Sequence, residues 1–172
     1  MAKMICFDMD GTIADLFGVP GWCEKINSFD VSPYVEAAPL WDMDALNDTL
    51  NRLIAAGWEI RVVSWLSKCG TPEYNAKVRA AKLEWLERYN FPVKKAHLIA
   101  YGTTKANAVR KAANGEVCIL IDDNRKVREG WTLGETINPL DVEDLPAYLM
   151  KYAGEEYDTR TPAEKLGCPF WV

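Results

Sequence analysis

The chain has 172 residues, with 20 lysines and arginines against 25 aspartates and glutamates and a formal net charge of −5. Hydrophobic residues make up 49% and charged residues 26%, the balance of one soluble globular domain that buries roughly 70% of its unfolded surface and needs no metal or disulfide to fold. The single histidine, His97, excludes centres built on two or three histidines, most zinc hydrolases among them, and a net acidic chain without a basic block is poorly suited to non-specific nucleic-acid binding.

The apolar run at the start breaks at Asp8, too early for a secretory leader. No window approaches the roughly 20 apolar residues of a membrane span, so a cytoplasmic protein with no membrane partner is expected. Lys3 to Phe7 reads as a short buried strand running into the turn Asp8-Met9-Asp10-Gly11-Thr12. Residues 15–41 are irregular, broken by Pro20, Pro33 and Pro39 and carrying Phe17, Trp22, Phe29 and Tyr34. Leu46, Leu50, Leu53 and Ile54 form one helical stripe that Gly57 can end. Trp58 to Val63 reads as a buried strand finishing at Ser64. Thr71 is an N-cap and Pro72 a first helical residue. They open a long amphipathic helix marked by Tyr74, Val78, Ala81, Trp85 and Tyr89, with Lys77, Arg79, Lys82, Glu84, Glu87 and Arg88 assigned to its solvated face. His97 to Ala100 is a weak strand. Thr103 or Thr104 caps a helix holding Lys105, Ala108, Val109 and Ala112, with Gly115 at its end. Val117 to Ile121 is a continuous apolar run, as in a central parallel strand covered on both faces, and it stops at Asp122-Asp123. A short strand near Thr136 and Ile137 and a last helix within Asp141 to Met150 complete the pattern.

The five cysteines, Cys6, Cys23, Cys69, Cys118 and Cys168, are odd in number and form no CxxC pair, which argues against a disulfide framework or a zinc ribbon. Cys6 and Cys118 read as small buried hydrophobes. Cys69 reads as a reduced loop cysteine, because no base can be assigned to it.

Alternation of strands and helices predicts an α/β fold with a mostly parallel sheet, and ligands of such sheets bind outside the carboxyl ends of the strands. Three apolar runs end in Asp8 and Asp10, in Ser64, and in Asp122 and Asp123, and Lys105 opens the helix after the third strand. Singly, each has a structural explanation: a tight turn, a helix cap, a loop hydroxyl, a surface charge. Together they bring four carboxylates, a hydroxyl and an ammonium to one edge of the sheet. Carboxylates crowded in a cleft raise one another's pKa and require a cation. Mg²⁺ fits best, because it takes few protein carboxylates and keeps water and substrate phosphate as its other ligands. Donors and positive charge around it suit a phosphoryl group, with an aspartate as nucleophile and a second carboxylate as general acid and base.

These residues resemble the motifs of the haloacid dehalogenase-like (HAD) superfamily. Phe7-Asp8-Met9-Asp10-Gly11-Thr12 is similar to its DxDGT motif, Ser64 to its second motif, Lys105 to its third, and Ile121-Asp122-Asp123 to the DD form of its fourth. The resemblance implies a Rossmann-like three-layer sandwich around a central parallel sheet, with a core over residues 1–12 and 42–152, a small cap insert over 13–41 and a C-terminal tail over 153–172. It implies Asp8 as nucleophile and Asp10 as acid and base; dehalogenase members lack that second aspartate. It also implies Ser64, Lys105 and the backbone N–H of Trp65 on phosphate oxygens. Mg²⁺ would be held by the Asp8 carboxylate, the Asp10 carbonyl and Asp122, with Asp123 behind through water.

Ser64-Trp65-Leu66-Ser67, Thr71-Pro72-Glu73-Tyr74 and Lys82-Leu83-Glu84-Trp85-Leu86 further resemble the 5'(3')-deoxyribonucleotidase family. The expected function is therefore Mg²⁺-dependent hydrolysis of a small phosphate ester, with a (deoxy)nucleoside monophosphate as leading substrate. The aromatic side chains of the cap, Phe17, Trp22, Phe29 and Tyr34, either stack on a base or pack the insert onto the core. Alternatives are a phosphatase for nucleic-acid 3' or 5' ends or another phosphorylated metabolite, and a non-catalytic binding module on the same fold.

Overall fold

Lys3–Phe7 forms the central strand β1, whose side chains alternate between two separate apolar clusters. Ile5 and Phe7 enter one, Met4 and Cys6 the other, and none is more than 1% exposed. The structure is a computed structural model that describes residues 3–114 and 117–154. In chain order β1 is followed by β2 (Ala14–Asp15), α1 (Trp22–Asn27), α2 (Ser32–Glu36), β3 (Ala38–Pro39), α3 (Met43–Ala55), β4 (Trp58–Trp65), α4 (Pro72–Arg88), β5 (Lys95–Ile99), α5 (Lys105–Ala113), β6 (Cys118–Ile121), α6 (Arg125–Glu129), β7 (Thr136–Ile137) and α7 (Leu145–Leu149). Five strands form one sheet in the order β5-β4-β1-β6-β7, every pair parallel.

Helices cover both faces, giving the expected three layers. Leu46, Leu50 and Leu53 of α3, Val78 and Trp85 of α4, and Leu145 and Leu149 of α7 pack with Ile5, Phe7, Ile60, Val62, Ile119 and Ile121. Ala106, Val109 and Ala113 of α5 pack on Met4, Cys6, Val63, Cys118 and Leu120 opposite. Burial of two faces explains why β6 is a continuous apolar run; β4 carries Glu59 and Arg61, which pair with each other. The predicted cap of α4 forms, the Thr71 hydroxyl accepting the Tyr74 amide; Thr104 takes the N-cap position of α5 without a side-chain hydrogen bond, and Asp42, not singled out in the sequence, caps α3 by accepting the amides of Asp44 and Ala45.

The structure departs from the sequence reading in several places. The stretch read as irregular contains α1 and α2, clasped by an antiparallel pairing of β2 with β3. Ile54 stands 42% exposed, off the buried stripe of α3. The left-handed residue closing α5 is Asn114, at φ 45°; Gly115 lies outside the described residues, as do Cys168 and the tail beyond residue 154. The single helix expected within Asp141 to Met150 is a 3₁₀ turn at Pro139–Asp141, then α7, then a second 3₁₀ turn at Met150–Ala153. Pro146 explains the break, because it fits only the first turn of a helix and fixes the start at Leu145.

Candidate active site

β1 lies between β4 and β6, so the carboxyl ends of all three strands stand side by side. The chain runs outward from β1 to β4 and β5, then returns to β6 on the other side. A reversal of strand order of this kind opens a crevice at the strand ends.

Beyond Phe7 the backbone folds tightly: the Met9 carbonyl accepts the amides of Thr12, Ile13 and Ala14 at 3.1, 2.9 and 2.9 Å. Gly11 sits at φ +77°, where a Cβ would stand 2.6 Å from Asp123 Oδ2 and 2.7 Å from the Phe17 ring. Only glycine fits both the conformation and the space. The Thr12 hydroxyl donates to Asp123 Oδ1 and accepts the Asp123 amide, both at 3.2 Å, which fastens the loop after β1 to the loop after β6.

Asp8, Asp122 and Asp123 each place a carboxylate oxygen within 4.8 Å of the others. Burial, and next the Asp8 charge, push Asp122 up to about 7 and raise Asp123 as well. Lys105, with its side chain 1% exposed, stands 2.7 Å from Asp122 Oδ2 and 2.9 Å from Asp8 Oδ1. Burial works to lower its pKa, but Asp8 and Asp122 more than reverse this, and it rises above the ordinary lysine value. Asp8 Oδ1 is buried and lacks an aligned hydrogen-bond donor. Three clustered carboxylate donors, Asp122 and Asp123 with raised pKa values and Asp8 incompletely satisfied, fit a hard divalent cation such as Mg²⁺. Arg128 Nη1 donates to the backbone carbonyls of both Asp122 and Asp123 at 2.7 Å.

Asp10 turns away from this cluster. Its Oδ2 accepts a 2.6 Å hydrogen bond from Lys82 Nζ, and Lys82 is 1% exposed. The assignment of Lys82 to a solvated face is thus corrected: it projects from α4 into the strand ends. Val78, Lys82 and Trp85 fall at i, i+4 and i+7 on the buried stripe of α4, so the periodicity held the signal and the charge of the residue concealed it. Burial raises the pKa of Asp10, and Lys82 acts against that rise. Ser64 is fully buried, and its Oγ accepts from Lys82 Nζ at 2.9 Å.

A cleft of about 370 Å³ opens over these groups, with Asp8, Asp10, Ser64, Lys105 and Asp123 in its floor. Asp122 lies beneath that floor at 0% exposure. Phe17, Trp22 and Tyr34 of the insert form one wall, and Trp65, Lys68 and Tyr101 the other. Phe17 and Trp22 meet edge to face at 5.1 Å. Trp65 is held by its indole N–H on the Thr103 carbonyl at 2.8 Å and lies over Lys105. Phe29, grouped with the other cap aromatics on sequence grounds, packs instead against Tyr74, away from the cleft wall. It stands 49% exposed in the turn after α1, at φ 61°. Cys23 and Cys69 are free thiols on the cleft walls, and Cys6 and Cys118 are buried as expected.

No protein-family model and no curated protein matches the chain. Solved structures do. A D,D-heptose 1,7-bisphosphate phosphatase from Burkholderia thailandensis superposes with a TM-score of 0.54 at 14% identity, over 89% of this chain and 99% of that one. A Mesorhizobium loti protein described as a HAD-like phosphatase superposes with a TM-score of 0.51 at 14% identity, over 92% and 90%. At that identity the likeness speaks to architecture alone: the chain shares the central parallel sheet between helices with these two solved structures.

Proposed function

We propose that the protein is a Mg²⁺-dependent phosphomonoesterase whose substrate is a small phosphate ester, with a (deoxy)nucleoside monophosphate as the best candidate. The observation that supports this reading is the pairing of two carboxylates two residues apart, both in the floor of one cleft, with two buried ammoniums, Asp8 with Lys105 and Asp10 with Lys82.

The carboxylates divide the work. Asp8 attacks phosphorus and forms an aspartyl-phosphate, while the ester oxygen leaves with a proton from Asp10. Asp10 then takes a proton from a water that attacks the phosphoenzyme, releasing phosphate and restoring the Asp8 carboxylate and the protonated Asp10. Lys105 holds Asp8 and a phosphate oxygen, and the Ser64 hydroxyl and the Trp65 backbone N–H donate to others. The carboxylates of Asp8 and Asp122, with Asp123 beside them and the Asp10 carbonyl, would hold Mg²⁺, which supplies positive charge to the transferring phosphoryl group. The aromatic walls leave room for a flat leaving group: a volume of about 370 Å³ is at the lower end of the roughly 300–1,000 Å³ typical of small-molecule sites.

The test is phosphate release, with Mg²⁺ and with a chelator, across mononucleotides, sugar phosphates and phosphorylated oligonucleotide ends. Activity is expected only with Mg²⁺, to be highest on mononucleotides, and to fall at least about 1,000-fold in Asp8→Asn. An undiminished rate in that variant contradicts the mechanism. Preference for an oligonucleotide end or a sugar phosphate contradicts the substrate assignment and leaves the chemistry standing.

A further inference from the structure

Two lysines are buried among the described residues. Lys105 has a role in the proposed chemistry, whereas Lys82 so far has only an address. Its three ammonium protons are all taken, by Asp10 Oδ2 at 2.6 Å, Ser64 Oγ at 2.9 Å and the Trp65 carbonyl at 2.9 Å. The Tyr34 ring stands 5.3 Å from the same nitrogen, a favourable cation–π distance. An ammonium this deeply buried is costly unless every proton finds an acceptor, and here every proton does.

We infer that Lys82 is a positioning residue for the phosphatase reaction: one buried ammonium sets both the carboxylate of Asp10 and the hydroxyl of Ser64 toward the substrate. Lysine has three donors and no acceptor, so Ser64 Oγ serves it only as acceptor. The Ser64 proton is left to donate into the cleft that Ser64 lines. With Oδ2 of Asp10 anchored, the carboxylate is fixed in orientation and keeps 21% of its side-chain surface accessible. A purely structural staple would have no need of these acceptors; both side chains that Lys82 holds line the cleft.

The inference rests on the phosphatase reading, and leaving-group dependence tests it separately. An aryl phosphate such as p-nitrophenyl phosphate departs without protonation, whereas an alkyl phosphate needs the Asp10 proton. The value of kcat/KM for each is measured in the wild type, Lys82→Met and Lys82→Gln, with melting curves on all three. The expected result is a fall of roughly 100-fold on the alkyl ester and of less than about tenfold on the aryl ester, with Lys82→Gln, which retains donors, intermediate. An equal fall on both esters, or none, overturns the inference. Variants that lose cooperative melting also overturn it, since Lys82 would then serve folding alone. A wild type without turnover on either ester overturns the phosphatase reading itself.

Discussion

Arg128 illustrates how much of the site depends on residues that never face the cleft. Its guanidinium bridges the carbonyls of Asp122 and Asp123, the two residues whose carboxylates must converge with Asp8. The Asp122 carboxylate in turn accepts the Asn124 amide at 2.9 Å, and Asn124 caps α6 by accepting the amides of Lys126 and Val127. Arg128 therefore fixes the loop from behind, through backbone rather than through charge on the ligands. Outer contacts of this kind are worth about 10–100-fold in metal affinity. Arg128→Ala is expected to raise the Mg²⁺ concentration for half-maximal phosphate release by roughly tenfold while leaving the rate at saturating Mg²⁺ close to wild type. A lower saturated rate with unchanged half-saturation would place Arg128 in the chemistry instead.

Among the elements, α4 joins the sheet to the insert. One of its faces packs on the core, and its rim donates to backbone carbonyls of residues 30–37: Tyr74 Oη to Asp30, Trp85 Nε1 to Ala37 and Arg88 Nη1 to Val35, at 2.8, 2.7 and 2.8 Å. The Ala37 carbonyl belongs to a residue only 2% exposed, so Trp85→Phe strands a buried acceptor at a cost of about 1–3 kcal/mol. For a chain of this size that is a loss of about 2–12 °C in melting temperature, and the substrate KM should rise because Tyr34 and Trp22 move with the insert. Thr71→Ala removes only the cap of α4, about 1 kcal/mol, and should lower melting without changing KM. Equal KM effects in both variants would contradict a link through the insert. The same helix shows what the sequence made legible. β1 and β6 are apolar runs and β4 ends in one, each followed by polar residues, and parallel topology alone brings those ends together. Lys82 escaped because residue type outweighed position. The helices α1, α2 and α6 escaped because five or six residues span fewer than two turns and show no stripe; α1 also starts from Gly21 in a left-handed conformation, with no side-chain cap.

At the scale of the whole molecule, the acidity has a focus. Among the described residues, Asp8, Asp10, Asp122 and Asp123 meet only Lys82 and Lys105 in the ion pairs of the cleft, leaving an excess of negative charge that a divalent cation would neutralise. This makes stability depend on pH in a defined direction. Asp122 titrates at about 7 in the folded protein against about 3.9 in an unfolded chain. Between those values the folded state keeps a proton that the unfolded state has lost, so this group's contribution makes the metal-free protein less stable as pH rises through that window. Asp10 and Asp123 are shifted the same way. Mg²⁺ binds the deprotonated carboxylates and must displace the proton first. At pH 5, Mg²⁺ should therefore change the melting temperature little. At pH 8, Mg²⁺ at about 100 times its dissociation constant adds about 2.7 kcal/mol, a rise of roughly 5–10 °C. Asp122→Asn removes the titrating group, and it should flatten the pH dependence of the metal-free protein and abolish most of the Mg²⁺ shift. Melting curves at pH 5 and pH 8, with Mg²⁺ and with chelator, decide the matter: an equal Mg²⁺ shift at both values, or a full shift in Asp122→Asn, would show that the ion is not held by this cluster.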